Sequence, residues 1–174
     1  MGLFSKLFGN SEQQAPPRAQ QQQYAPGTEI PYDGQLISRF KGHHQSLLKL
    51  FNNISLAVKE HDYEQIMQAL KKFVNVLEQH VLEENLKLYV YLQKCIHDDD
   101  HNEMISDMKL EMAQISREVR SFVRHHLQFG VNAVNIEKFG HDLNGIGAAL
   151  VDRIQREEDA LYPLYMPPRN YEAL

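Results

Sequence analysis

Residues 63–91 read YEQIMQALKKFVNVLEQHVLEENLKLYVY, and the spacing of their apolar side chains decides the fold. Tyr63, Ile66, Leu70, Phe73, Leu77, His80, Glu84, Leu88 and Tyr91 recur at intervals of three and four, the mark of one buried helical face. The same rhythm returns three more times. It runs through Phe40, His44, Leu47, Phe51, Ile54 and Val58, and through Met108, Met112, Ile115, Val119, Phe122, His126 and Phe129. Its last appearance is Phe139, Leu143, Ile146, Leu150, Ile154, Glu157 and Leu161. No segment alternates with period two, so no strand is expected. The spacing predicts helices from Gly34 to Glu60, from Asp62 to Ile96, from the HDDDH stretch at 97–101 onward, and from Asn135 to Tyr162. Asp100 with Glu103 reads as the capping pair of the third helix. Pro163, Pro167 and Pro168 should stop the fourth. Four long amphipathic helices on short connections predict an all-α, antiparallel up-down-up-down four-helix bundle over residues 33–166, followed by a tail at 167–174.

Two segments precede the bundle. Residues 10–32 contain the run Gln20 to Gln23 and four prolines, Pro16, Pro17, Pro26 and Pro31. Such a composition buries too little to offset chain entropy and reads as a flexible tether. In residues 1–9, MGLFSKLFG, Leu3, Phe4, Leu7 and Phe8 would share one side of a short helix. That segment is either a small anchor for a membrane surface or partner groove, or a mildly sticky tail; so short a helix is marginal alone. A myristoylation signal would need Ser or Thr where Lys6 stands. The 174 residues carry a net charge of −5, which gives no footing for nucleic acid. No apolar run is long enough to span a membrane. The single cysteine, Cys95, cannot form an internal disulfide, which fits a cytoplasmic location.

Each stripe should be apolar, yet His44, His80, Glu84, His126 and Glu157 hold stripe positions. Buried carboxylates need partners. Counting about 1.5 Å per residue from turns near His61, Asp99 and Ala133 shows which of these can meet. His44 and His80 fall at nearly one height, with Glu84 one turn away. The matching height falls near Met112 in helix three and near Arg153 and Glu157 in helix four. His125 and His126 lie beyond that layer by on the order of 15 Å. With His61 and His141 they read as surface or end-of-core histidines, and His97 and His101 as part of a solvated acidic loop.

The run from His80 to Tyr89, with glutamate four residues after histidine, resembles the H-x-x-x-E motif of the hemerythrin-like HHE cation-binding domains. His43-His44 before Leu47 and Leu48 resembles the helix-one histidine of that family, and Arg153 to Pro163 resembles its last helix. The resemblance implies the bundle fold and a diiron site of histidines and bridging carboxylates that binds oxygen or senses iron or redox state. Carried over, it makes His44, His80, Glu84 and Glu157 the matched metal ligands. Met112 and Arg153 stand where further ligands are expected. A thioether is a poor iron ligand and a guanidinium cannot ligate at all, so one iron or none is expected rather than two. A weaker likeness links Ile146 to Glu158 with the last helix of the Rsd/AlgQ regulators, metal-free bundles that bind a sigma factor and in which the arginine is expected.

Two readings therefore stand open. In one, the core holds a single metal ion. In the other, Arg153 places a fixed charge where an ion would sit, pairs with Glu157 and Glu84, and the bundle acts by binding another protein. An enzyme is the class least supported, because no nucleophile with an adjacent base and no cofactor fingerprint appears.

Overall fold

The computed structural model describes residues 23–173, and the expected N-terminal anchor at 1–9 lies outside them. Helix one is Leu36–Glu60. Helix two covers residues 63–95, in which the α-helices Tyr63–Glu83 and Val90–Cys95 are joined by a π-helical turn, Glu84–Tyr89. Helix three is Asp99–Phe129. Helix four is Ile136–Arg156, extended by a second π-helical turn, Glu157–Leu161, and a 3-10 turn, Tyr162–Leu164.

Local chemistry sets the boundaries. His61 ends helix one with φ of +57°, and its N–H and that of Asp62 return to Val58 O and Ala57 O. The Asp62 carboxylate then accepts from the Gln65 N–H at 2.9 Å and opens helix two. Helix three starts one residue after Asp98, whose carboxylate accepts from the His101 N–H. Asp98 is thus the cap, and the expected pair of Asp100 and Glu103 lies inside the helix. The reason is Ile96, which leaves helix two in an extended conformation and places Asp98 at the new start. Pro163 does not stop the fourth helix abruptly. The backbone widens into the π turn and then tightens into the 3-10 turn around it.

Contacts across the connections show the direction of each helix. His44 lies well before the turn at His61 and His80 well after it, yet their ring centroids are 4.8 Å apart, so helices one and two run antiparallel. Glu111 and Arg153 are joined in the same way across the connection at 130–135, and Tyr89 and Lys109 across the one before helix three. The result is the all-α four-helix bundle.

The core consists of two apolar clusters. One gathers Leu47, Ile54, Leu70, Phe73, Leu77, Met112, Val119, Phe139 and Leu150; the other gathers Leu36, Phe40, Leu88, Tyr89, Tyr91, Ile105, Met108 and Leu161. Helix one crosses from one to the other at His44, helix two at His80 and Glu84, and helix four at Arg153 and Glu157, each at most 2% exposed. The polar residues form one slab across the bundle. Residues 23–32, expected to belong to the tether, close the far end instead. Tyr24 and Pro31 form an antiparallel bridge, Ala25 is buried, and Tyr32 stacks on Tyr165 with ring centroids 5.1 Å apart.

Helices one and four approach closely at Gly147, where a β-carbon would collide with the Phe51 ring, while Gly145 on the same helix has open space. Gly147→Val is therefore expected to lower stability by about 1–3 kcal/mol. Gly145→Ala should raise it by about 0.5–1 kcal/mol. Urea unfolding of the pair checks both signs.

Candidate metal centre

The polar slab is built around the Nε2 atom of His44. His80 Nε2 lies 3.2 Å from it, Glu157 Oε2 3.1 Å, and the Tyr162 hydroxyl 3.1 Å. On its other side, His44 Nδ1–H donates to Glu158 Oε1 at 2.8 Å. A carboxylate can only accept there, so Glu158 fixes the tautomer and turns Nε2 inward. Lys41, 3.4 Å from the other Glu158 oxygen, holds that carboxylate from the surface side.

Glu157 works in two directions. While Oε2 faces His44, Oε1 accepts from Arg153 Nε at 2.7 Å. The guanidinium also donates to the Tyr89 hydroxyl at 2.6 Å and to Glu111 at 3.3 Å. Glu111 in turn accepts from Arg156 at 2.6 Å. Arg153 is 1% exposed, so this is a buried cation with every direction of its fork engaged.

The two buried glutamates titrate in opposite senses. Burial opposes charge on Glu157, but His44 beside it and the charge of Arg153 hold it below the usual carboxylate range. Burial first, and then the charge on Glu157, push Glu84 well above that range, with the Tyr162 hydroxyl donating to it at 2.9 Å. Burial pushes His80 down to about 3, against the pull of Glu157. The Tyr162 phenol is driven up by burial and by the two glutamates, and the Tyr89 phenol by burial and Glu84.

His44, His80 and Glu157 each offer a ligand atom, all within 4.8 Å of one another. The donor set fits a cation. Ligand atoms about 2.1 Å from an ion stand roughly 3 Å apart when adjacent, close to the spacings around His44 Nε2. With its proton on Nδ1, His44 Nε2 turns a lone pair towards three neighbours, one of them another imidazole nitrogen, and a cation among them satisfies that arrangement. His80 Nδ1 and Glu84 Oε2 are buried with no hydrogen-bond partner among the described residues. Arg153 occupies the other side of Glu157, and Met112 packs into the apolar cluster with Leu47 and Leu150.

The sequence-predicted residues are thus brought together, with one change. Glu84 stands beside the converging group, 3.7 Å from His80 Nε2, and does not join it. Arg153 pairs with Glu157 as expected, but its third partner is Glu111, with Tyr89 beside it, rather than Glu84. His126 is 7% exposed and packs on Phe122 and Phe139, away from the slab. Sequence reasoning missed Tyr89, Glu111, Glu158 and Tyr162. Glu158 could have been found as the neighbour of a stripe glutamate.

The opposite shifts yield a pH signature for the metal-free chain. Glu84 holds its proton to higher pH in the fold than in the unfolded chain, where it ionises near its ordinary 4.5, so its contribution is lost as pH rises above that value. His80 acts in the other sense, favouring the fold above its ordinary 6.5 and losing that contribution as pH falls towards about 3. Glu84→Gln removes only the first. It is expected to raise the midpoint of thermal unfolding at pH 7 to 8, with the gain vanishing below about pH 4.5. Scanning calorimetry of both proteins across pH measures this.

No curated protein and no solved structure matches the sequence. Residues 35–165 match the family model of the hemerythrin HHE cation-binding domain. The match spans all four helices and the slab they carry, and the chain belongs to the hemerythrin HHE cation-binding family.

Proposed function

We propose that this chain is a non-enzymatic binding protein whose bundle holds one transition-metal ion, iron first, between His44, His80 and Glu157, and that it serves a regulatory role through a protein partner. The observation that carries the ion is the convergence of two imidazole nitrogens and a carboxylate oxygen in a buried site. Imidazole with carboxylate suits iron, manganese or zinc. When bound, iron supplies one-electron redox change and a Lewis-acidic centre. The chain's own residues orient the ligands: Glu158 sets the His44 tautomer, and Arg153 fixes the Glu157 carboxylate. Burial of every ligand to 2% exposure or less suits a held ion better than a substrate that must enter and leave.

A second reading has its own support. Arg153 already balances Glu157, and Glu84 is pushed towards its neutral form, so the slab can carry its charges without an ion. The bundle would then be a metal-free interaction module.

Protein purified without a metal-binding tag and reconstituted with ferrous iron in the absence of air separates these by metal per chain. About one ion is expected. His80→Ala should abolish it, and Glu158→Gln should weaken it by on the order of 10–100-fold. No retained metal would establish the metal-free reading, and two irons would establish a diiron site. Capture of a partner with and without residues 1–9 tests whether the bundle or the N-terminal segment recruits it.

A further inference from the structure

The two π-helical turns belong to one repeated pattern. In helix two, His80 is followed by Glu84, Leu88 and Tyr89; in helix four, Arg153 is followed by Glu157, Leu161 and Tyr162, at identical spacing. In both copies the glutamate opens the π turn and the leucine is buried. In an α-helix, residues five apart point about 140° away from each other. The i→i+5 bonding of a π turn returns them to one side, so each tyrosine faces the slab with its glutamate.

The copies exchange tyrosines. Tyr89, from helix two, accepts from Arg153 of helix four at 2.6 Å. Tyr162, from helix four, reaches the first copy, 2.9 Å from Glu84 and 3.1 Å from His44 Nε2. Tyr89 therefore touches the fixed positive charge on one side of Glu157. We propose that Tyr162 does the same on the other side, its phenolate oxygen being a fourth ligand to a ferric ion held by His44, His80 and Glu157. The inference rests on the single-ion reading above.

The geometry suits that role. His44 Nε2 has neighbours at 3.2 Å in His80, 3.1 Å in Glu157 and 3.1 Å in Tyr162. Octahedral ligands about 2.1 Å from an ion lie roughly 3 Å from each adjacent ligand, so one histidine and its three neighbours match one vertex and three edges. The Tyr162 ring lies nearly parallel to that of His44, at 11° with centroids 5.6 Å apart, and the side chain is 3% exposed. Phenolate is an established protein ligand of ferric iron. On ligation the phenol O–H bond breaks, the oxygen–iron bond forms, the proton leaves to solvent, and iron keeps its oxidation state.

The test uses the full chain, loaded anaerobically with a ferrous salt, freed of excess and oxidised with ferricyanide. Iron per chain, visible absorption and resonance Raman spectra are read on the same sample. One iron is expected, with a phenolate-to-iron charge-transfer band and tyrosinate ring modes enhanced within it. Tyr162→Phe should keep the iron and lose the band, while Tyr89→Phe keeps both. One iron without the band, a band that survives Tyr162→Phe, or its loss in Tyr89→Phe would overturn this inference alone. No iron in the unmutated chain would overturn the single-ion reading and this with it. Should Tyr162→Phe fail to fold, ring-deuterated tyrosine in the unmutated chain and in Tyr89→Phe decides the point: modes that shift with the label in both support ligation, and unshifted modes overturn it.

Discussion

A carboxylate buried at the centre of an apolar bundle is the constraint on which the rest depends. Glu157 is 1% exposed and ionised, and neither of its oxygens can be left alone. One oxygen takes Arg153, which is itself buried and must be answered by Tyr89 and Glu111. Glu111 is then shared with Arg156 at the surface. The other oxygen faces His44, which draws in Glu158, and Glu158 draws in Lys41. Both chains begin at buried groups and end at partly exposed ones, Glu111 and Arg156 on one side and Glu158 and Lys41 on the other. Charge that would be untenable in the core is led to water along two chains of partners. Removing one member of such a buried pair typically costs about 3–5 kcal/mol, because the other is stranded.

The slab is unequal on its two sides. On the His44 side, burial disfavours charge on His80 and on Glu84, and each leaves a buried atom with no hydrogen-bond partner among the described residues. On the Arg153 side, the guanidinium brings its own permanent charge and donors. Helix three accounts for the difference. It contributes Met112 to the apolar cluster and Glu111 to the rim, and no imidazole to the slab. Among the described residues, the converging histidines and glutamates come from helices one, two and four.

Most of the fold was legible in the sequence, because each of four stripes keeps its period over many turns. The members of the slab were legible by counting rise from the turns, which brought His44, His80, Glu84, Arg153 and Glu157 to one height. Counting failed where the backbone departs from α-helical geometry. Tyr89 and Tyr162 follow glutamates by five residues, which an ideal α-helix would turn away from the site. The two π turns reverse that, and no residue in Glu84–Tyr89 or Glu157–Leu161 announces a wider turn. The cap of helix three was misplaced for a related reason. Three adjacent aspartates compete for it, and the extended Ile96 decides in favour of Asp98. Residues 23–32 read as tether by composition, yet Ala25 is buried and Tyr32 packs on Tyr91 and Tyr165, a contact that only the closed bundle end creates.

The division of the core into two apolar clusters has a consequence for alignment. Leucine, isoleucine and valine pack against one another at many offsets, so an oily four-helix core tolerates helices that slide past each other. Here a slide of helix four by one turn, about 5.4 Å, would move Glu157 off His44 and Arg153 off Tyr89 and Glu111, leaving buried charge without its partners from the other helices. The slab thus pins the register of helices one, two and four, and it does so whether or not an ion is present. A set of residues that do not belong in an oily stripe is also what keeps three of the four stripes in step.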